Sequence, residues 1–522
     1  MLKMTLRLCM ALLFLQTMGS PLFSQKKSFD DVLKITLSNK GVIMNGSEVS
    51  GYYFFYAVDK AEKGKMNYLL KILDNNLNQV ASKSITDAKG TVLRECAYNG
   101  KSLMVKFQQT TGKDKKFTFR QYDMTGERKS SKDLPIGKLD YAAESMAQME
   151  DGAVAPTLFA VPNKGFVNYT LDTEKGNMSQ SKYVIDFLPE DATGGKTWKA
   201  SPKADSKMYE SAAFMACDGD MLLSTITKRK GVMSRDFEYS ILAINVNTGE
   251  KMFEADVEDS KYAVSVINGK PDGDKIQLYG LYYEKDAKTI KAKSLGICSL
   301  SLDKSGKVVD RKYISWASDV SKFLPSNAKG RIEDVGYLYF HNFIKAADGT
   351  IFGVAENYRK AADGFGIAVA ALGGKAAVAK MVVEDMYLFQ FTPDFKLKNV
   401  SVIDKDKHDI DLLPGYDMMS PQILSVVVNY MGGFDYAFTQ ANKDNSVFTI
   451  AYLDFVNQKG EKGGCHLGTL NYVDNEWVND KIKFTTSTWD FDVLPGKLGY
   501  VMVFEYFRKE KKMDVRLEKL NL

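Results

Sequence analysis

Histidine is nearly absent from this chain: His341, His408 and His466 are the only three among 522 residues. That scarcity removes most routes to a three-imidazole metal site, or to a Ser–His–acid triad chosen from several candidates. Cysteine is almost as rare. Cys9 lies near the N-terminus, and Cys96, Cys217, Cys298 and Cys465 are far apart, each in or beside an apolar run. No short-spaced pair gives a zinc pattern, and four small buried hydrophobes in different structural units are expected rather than disulfides. Long apolar runs are also missing. Leu8–Leu15 falls well short of the ~20 residues a helical span needs, and the most apolar later segment, Gly366–Leu372, is only a strand long. Nor does one charge dominate: 70 Lys and Arg against 65 Asp and Glu leave a formal net of +5, too little to imply a nucleic-acid partner.

The N-terminus has the order of a secretory signal. Lys3 and Arg7 precede the apolar stretch, and the less apolar Ser20–Gln25 can hold a cleavage site. A signal peptide over 1–24 is therefore expected, followed by one domain over 25–522. The C-terminus ends on Met513–Leu522 with no appended sorting or anchoring module. An exported protein, periplasmic or extracellular, is the expected compartment, with the periplasm favoured.

Aromatic residues are abundant, with 27 Tyr and 30 Phe. They fall in short runs such as Tyr52–Val58, Leu103–Phe107 and Ile276–Tyr283, alternating or continuously apolar. Helical periodicity is rare, so the pattern is all-β. Seven polar turns punctuate it, beginning at Asp74, Asp123, Asp172, Asn245, Asp303, Thr392 and Asp474. The first residue of each can cap its own turn through a side-chain oxygen. Between turns the strands group in fours, for example Val92–Ala97, Ser102–Gln109, Phe117–Asp123 and Glu127–Leu134. Further units start near Val42, Ser211, Ala263, Gly336 and Leu424. Tandem four-stranded antiparallel units are the blades of a β-propeller.

The chain ends bear on the blade count. The last unit has Asp490–Leu494, Tyr500–Phe507 and Met513–Leu520, one strand short. The N-terminus offers a spare alternating strand, Val32–Leu37, whose pairing with Met513–Leu520 closes a ring of eight blades and removes the free edges. Seven is the runner-up, if the third unit is irregular filler. Pro189–Lys207 reads as a connection, and a Gly- and Ala-rich insertion, about 361–379, interrupts the sixth unit between its second and third strands.

Candidate chemistry is sparse. His341 lies in an aromatic strand, where packing is expected. Cys465 and His466 are strand neighbours and point to opposite faces. The run Asp404–Asp411 alternates carboxylates as a Ca²⁺ loop does, but it lacks the glycine and is interleaved by Lys405 and Lys407, so a solvated charged loop is expected. No catalytic residue, metal or cofactor is assigned. The remaining signal is basic. If strands one to four run from centre to rim, all loops joining strands two and three share one face. They carry Lys63 and Lys65, Lys115 and Lys116, Lys164, Arg229 and Lys230, Lys288 and Lys291, Lys462, and Arg508 and Lys511. Such a crown can attract an anionic polymer by summed potential.

The exported N-terminus ending Leu22-Phe23-Ser24-Gln25, the entry Gly51–Tyr56 and turns such as Leu73-Asp74-Asn75-Asn76-Leu77 resemble secreted β-propeller-like proteins of Bacteroidota, of a family of unknown function. The resemblance spans most of the mature chain. It implies a fold and a compartment, and no catalytic residue. The resulting expectation is a monomeric, exported binding module for an anionic polysaccharide or an envelope protein. The alternative is a carbohydrate hydrolase or lyase with carboxylates in the central funnel, and a structural envelope protein is a third reading.

Overall fold

A computed structural model describes residues 25–521, apart from 37–38, 110–115, 136–154, 173–179, 192–193, 204–205, 232–233, 235–236, 325–336, 374–375, 457–463, 485, 487 and 489. The segment expected to be a signal peptide lies outside the described residues.

Eight antiparallel sheets follow one another around the ring; seven run in sequence order from inner to outer strand, one of them with an added fifth strand, and the eighth takes its outer strand from the N-terminus. Blade 1 comprises Lys40–Asn45, Glu48–Lys60, Lys65–Asp74 and Gln79–Ala88. Blade 3 is complete, with Leu158–Val161, Gly165–Asp172, Lys182–Pro189 and Trp198–Ala200. The chain is therefore an eight-bladed β-propeller, and the seven-bladed alternative is excluded. Pro189–Lys207 is thus not only a connection, because it supplies the outer strand of blade 3. That strand is short and anchored by one large side chain, Trp198, stacked on Phe187 at 5.3 Å.

The strand pattern follows from position in the ring. Second strands lie between two neighbouring blades and are buried on both faces, so they read as continuous apolar runs: Gly51–Ala57 in blade 1 is entirely buried. Outer strands face solvent and are polar, as in Arg128–Pro135, which blunts the exposed edges. Apolar clusters fill the seams between blades. One joins Phe55, Tyr68 and Leu70 of blade 1 to Leu103 and Phe107 of blade 2; another joins Phe352 and Met386 of blade 6 to Phe448 and Tyr472 of blade 7.

The ring closes through the N-terminus, but with a different strand from the one expected. Lys26–Phe29 pairs antiparallel with Lys512–Lys519, in the register Lys26 to Arg516 and Phe29 to Met513. It completes blade 8 beside Tyr500–Phe507 and Asp490–Pro495. Val32 and Ile35, in the segment expected to form this strand, instead enter the seam between blades 8 and 1 with Phe54, Phe504 and Met513. An outer strand needs only one buried side chain, and Phe29 provides it.

Blade 7 also starts later than the sequence suggests. Its inner strand is Tyr436–Ala441, and the β-branched run after Leu424 lies in an α-helix, α2, Pro421–Tyr430. Ser420 caps that helix and Pro421 occupies its first turn, a start signal that overrides the strand propensity of Val426–Val428. The other α-helix among the described residues, α1, Gly364–Ala371, forms the Gly/Ala-rich insertion of blade 6.

Candidate functional site

Antiparallel order fixes which loops share a face. Loops between second and third strands, together with connections from one blade to the next, lie on one side of the ring, here the upper face. The remaining turns lie on the other. Lys63 and Lys65 of blade 1, Lys116 of blade 2, Arg229 and Lys230 of blade 4, Lys288 and Lys291 of blade 5, and Arg508 and Lys511 of blade 8 are all at the upper ends of second or third strands or in the loops between them. Lys115 and Lys462 lie outside the described residues. Lys164 departs from the expectation: it sits in the turn between Val161 and Gly165, on the lower face, and its Nζ donates to Asn247 Oδ1 at 3.0 Å. Asp172 likewise ends the second strand of blade 3 and so lies at its upper end, unlike Asp74, Asp123, Asn245, Asp303, Thr392 and Asp474 below; the turn that follows it lies outside the described residues.

Several of these cations are held by neighbouring side chains. Lys65 contacts Glu62 at 2.8 Å, Lys116 pairs with Asp133, and the Arg508 guanidinium takes both oxygens of Asp490. Arg229 lies over the Tyr209 ring at 4.2 Å. Lys63, Lys230, Lys288, Lys291 and Lys511 are exposed. A groove of about 640 Å³ at the rim between blades 3 and 4 is lined by Lys199, Lys203, Lys228 and Lys251 and by Glu210 and Glu254, so its lining is net positive.

The upper face is built up over blades 5 to 7. The second and third strands of blade 6, Ile351–Ala362 and Ala379–Phe391, run past their neighbours and are capped by α1. An added strand, His408–Asp411, pairs with Lys380–Val383, and α2 follows it into blade 7. Asp363 caps α1, accepting from the Gly366 N–H at 2.9 Å. Ser420 donates to Ile290 O, and Gln422 Nε2 donates to Ala292 O at 2.8 Å, which ties α2 to the upper loop of blade 5. Beneath lies a separate apolar cluster that includes Tyr358, Met381, Leu412, Leu424, Val428 and Phe434.

Between this cap and blade 7 an ionic network is sealed in. Lys405, expected in a solvated loop, is fully buried, with Glu356 Oε1 at 3.1 Å and Asp435 as its second partner. Glu356 Oε2 accepts from the Tyr436 N–H at 2.9 Å and lies 2.9 Å from His341 Nε2. Burial alone would raise the Glu356 carboxyl, but His341, Lys405 and the Tyr436 amide outweigh it and hold the group at about 2. His408 reaches Asp435 at 3.4 Å through Nδ1 and Gly433 O at 2.9 Å through Nε2, and its bond to Asp435 raises its pKa.

Two of the three histidines in the chain thus meet here. His341 sits at a bulge of its inner strand, where the register skips from Phe340 to Asn342. The bulge turns its ring onto Tyr436 of the next blade, stacked at 4.5 Å. Sequence reasoning finds a packed His341 but none of its ionic neighbours. The side chains of His341, Glu356, Lys405 and Asp435 are almost completely buried within the network. Cys96, Cys217 and Cys298 form no disulfide, and burial pushes the Cys217 thiol up to about 11. Among the described residues no three His, Cys, Asp or Glu side chains converge to hold a metal ion, and no helix is long and apolar enough to cross a membrane.

A model of a family of unknown function, DUF6770, matches residues 4–521, and the chain belongs to that family. No curated protein matches it in sequence. Among solved structures it is similar to the WD40 domain of SCAP from fission yeast, at 7% identity and a TM-score of 0.38, covering 95% of this chain and 98% of that one. It is similar also to prolyl oligopeptidase B from Galerina marginata, at 9% identity and 0.42, covering 93% of this chain and 56% of that one. The chain therefore spans little more than half of the oligopeptidase. A third similarity is to the β-propeller domain of the Trilobed protease from Pyrococcus furiosus, at 12% identity and 0.31, covering 73% and 99%. These likenesses are distant in sequence and shape, and no activity passes from them to this chain.

Proposed function

We propose that this propeller is an exported, non-enzymatic binding module that takes an acidic polysaccharide on its upper face. The observation that supports this reading is the set of exposed cations, Lys63, Lys230, Lys288, Lys291 and Lys511, spread over blades 1, 4, 5 and 8 on one side of the ring. Their potentials add over a wide surface although no single one forms a pocket. A chain with repeated carboxylates or sulfates suits a ring of point charges better than a compact ligand does. The histidines and acids at the joint of blades 6 and 7 are engaged with one another and with Lys405, which supports binding over hydrolysis.

The test is retention on a sulfated-polysaccharide column. The triple variant Lys63→Glu, Lys230→Glu, Lys511→Glu should elute at clearly lower salt than the parent. A control with the same charge change on the lower face, Lys101→Glu, Lys275→Glu, Lys304→Glu, should elute close to the parent. Elution of the parent with a neutral reference protein, or equal losses in the two variants, would overturn the reading.

A further inference from the structure

From Gly364 to Gly373 the chain reads Gly-Phe-Gly-Ile-Ala-Val-Ala-Ala-Leu-Gly, without one polar side chain. A helix that is apolar all round belongs in a protein core or in lipid. Here α1 stands in solvent at the crest of blade 6. Phe365 is 78% exposed, Ile367 47% and Leu372 89%, and of the helix only Gly366 is buried. That glycine sets the orientation. A Cβ there would lie 1.8 Å from Ala377 O, so the helix rests on backbone at Gly366 and turns its side chains outward. On the same face, Met418 is 82% exposed and Tyr430 41%.

We propose that α1 and Leu372 form a wedge that docks the propeller on an anionic lipid surface, with Phe365, Ile367 and Leu372 entering the acyl boundary. Two features single out lipid among possible occupants. The crest offers no hydrogen-bonding side chain with which a protein groove could fix a register, whereas acyl chains need none. The upper loop of blade 5, to which α2 is tied, adds a basic neighbour: Lys285, Lys288, Lys291 and Lys293 are exposed there against Glu284 and Asp286. An apolar insertion and a basic surround act as the two signals that stable peripheral binding requires. Tyr430 adds an amphipathic ring suited to the headgroup level.

The inference goes beyond the polysaccharide reading: it rests on the helix and shares with that reading only the basic surround. The experiment is co-sedimentation with vesicles of an equal mixture of phosphatidylcholine and phosphatidylglycerol, with the protein alone as reference. The parent should sediment with the vesicles, and Phe365→Ser with Leu372→Ser should bind at least about tenfold more weakly, as expected for withdrawing two large apolar side chains. That double variant should keep its retention on the polysaccharide column. In a Phe365→Trp variant, vesicles should shift the added indole emission to the blue. Equal sedimentation of parent and double variant, or an unmoved emission in the Phe365→Trp variant, would sink the wedge. Self-association of the parent without vesicles, abolished by the double variant, would overturn it in favour of a second copy of the chain. Vesicle binding that persists while column retention matches a neutral protein would refute the polysaccharide reading and leave the wedge standing.

Discussion

The Lys405 ammonium lies 3.1 Å from the Glu356 carboxylate at the joint of blades 6 and 7, and neither side chain is exposed. Removing one member of such a pair strands the other in a medium that solvates it poorly, whereas removing both can be nearly neutral. Lys405→Met should therefore destabilise the protein by about 3–5 kcal/mol, and Glu356→Gln with Lys405→Met should cost less than the sum of the single changes. Chemical denaturation of the four proteins closes the cycle. Additive losses would show that the two groups do not depend on each other.

The same network gives stability a pH profile with two distinct limbs. The Glu356 carboxyl sits at about 2 in the fold against an ordinary 4.5. Its contribution is present above 4.5 and drains away as pH falls towards 2. His408 has the opposite sign. Both ring nitrogens face acceptors, Asp435 and Gly433 O, and its pKa is raised above 6.5, so its contribution is complete below 6.5 and lost as pH rises through the folded value. Denaturant midpoints across pH should then fall on both sides of the interval from 4.5 to 6.5. His408→Phe should flatten the alkaline limb and leave the acid limb, and a variant that keeps both limbs would remove His408 from the account.

Much of this architecture is written locally, and the exceptions share a cause. The polar turns are legible because their mechanism is local. Asp74 Oδ1 accepts from the N–H of Asn76 and of Asn78, each at 2.8 Å, and Asp303 Oδ1 accepts from Ser305 at 2.9 Å and Lys307 at 3.0 Å. Turn chemistry does not say which two strands a turn joins, which is why Asp172 misleads. The closing strand is hidden because Lys26–Phe29 carries one apolar residue, while the better alternation of Val32 and Ile35 serves a seam. Lys405 is hidden for a third reason. Its run of charges is indistinguishable from a solvated loop until Glu356 from a blade 6 strand and Asp435 from the approach to blade 7 meet it.

Closure itself is open to measurement. Lys26–Phe29 contributes the outer strand of blade 8, and the Val32 N–H donates to Lys511 O at 2.8 Å. Phe29 is buried against Phe54, with ring centroids 6.1 Å apart. Deleting residues 26–29 removes that packing and bares the edge of Lys512–Lys519. The melting temperature should fall by several degrees, corresponding to the ~3–5 kcal/mol typical of a lost buried Phe, and the shortened protein should associate more readily at high concentration. An unchanged melting temperature would mean that the ring holds without its fourth strand.

A device like the one at Glu356 recurs four blades earlier. Glu95 of blade 2 accepts from the N–H of Thr157 at 2.6 Å and of Leu158 at 2.8 Å, at the start of the inner strand of blade 3, and Lys106 lies 2.9 Å away as counter-ion. Glu356 likewise takes the Asp435 and Tyr436 amides that open blade 7, at 3.2 and 2.9 Å. In both places a carboxylate of one blade satisfies two amides that no strand neighbour reaches, and so fixes where the next blade begins. Glu95→Gln keeps the shape but has one acceptor oxygen where two are needed, and turns an N–H₂ group towards amide or ammonium donors. The expected loss is about 1–3 kcal/mol, concentrated locally. Hydrogen exchange at Thr157 and Leu158 should accelerate while amides at the centre of blade 5 keep their protection. If Thr157 and Leu158 exchange at the parental rate, the carboxylate does not fix the start of blade 3.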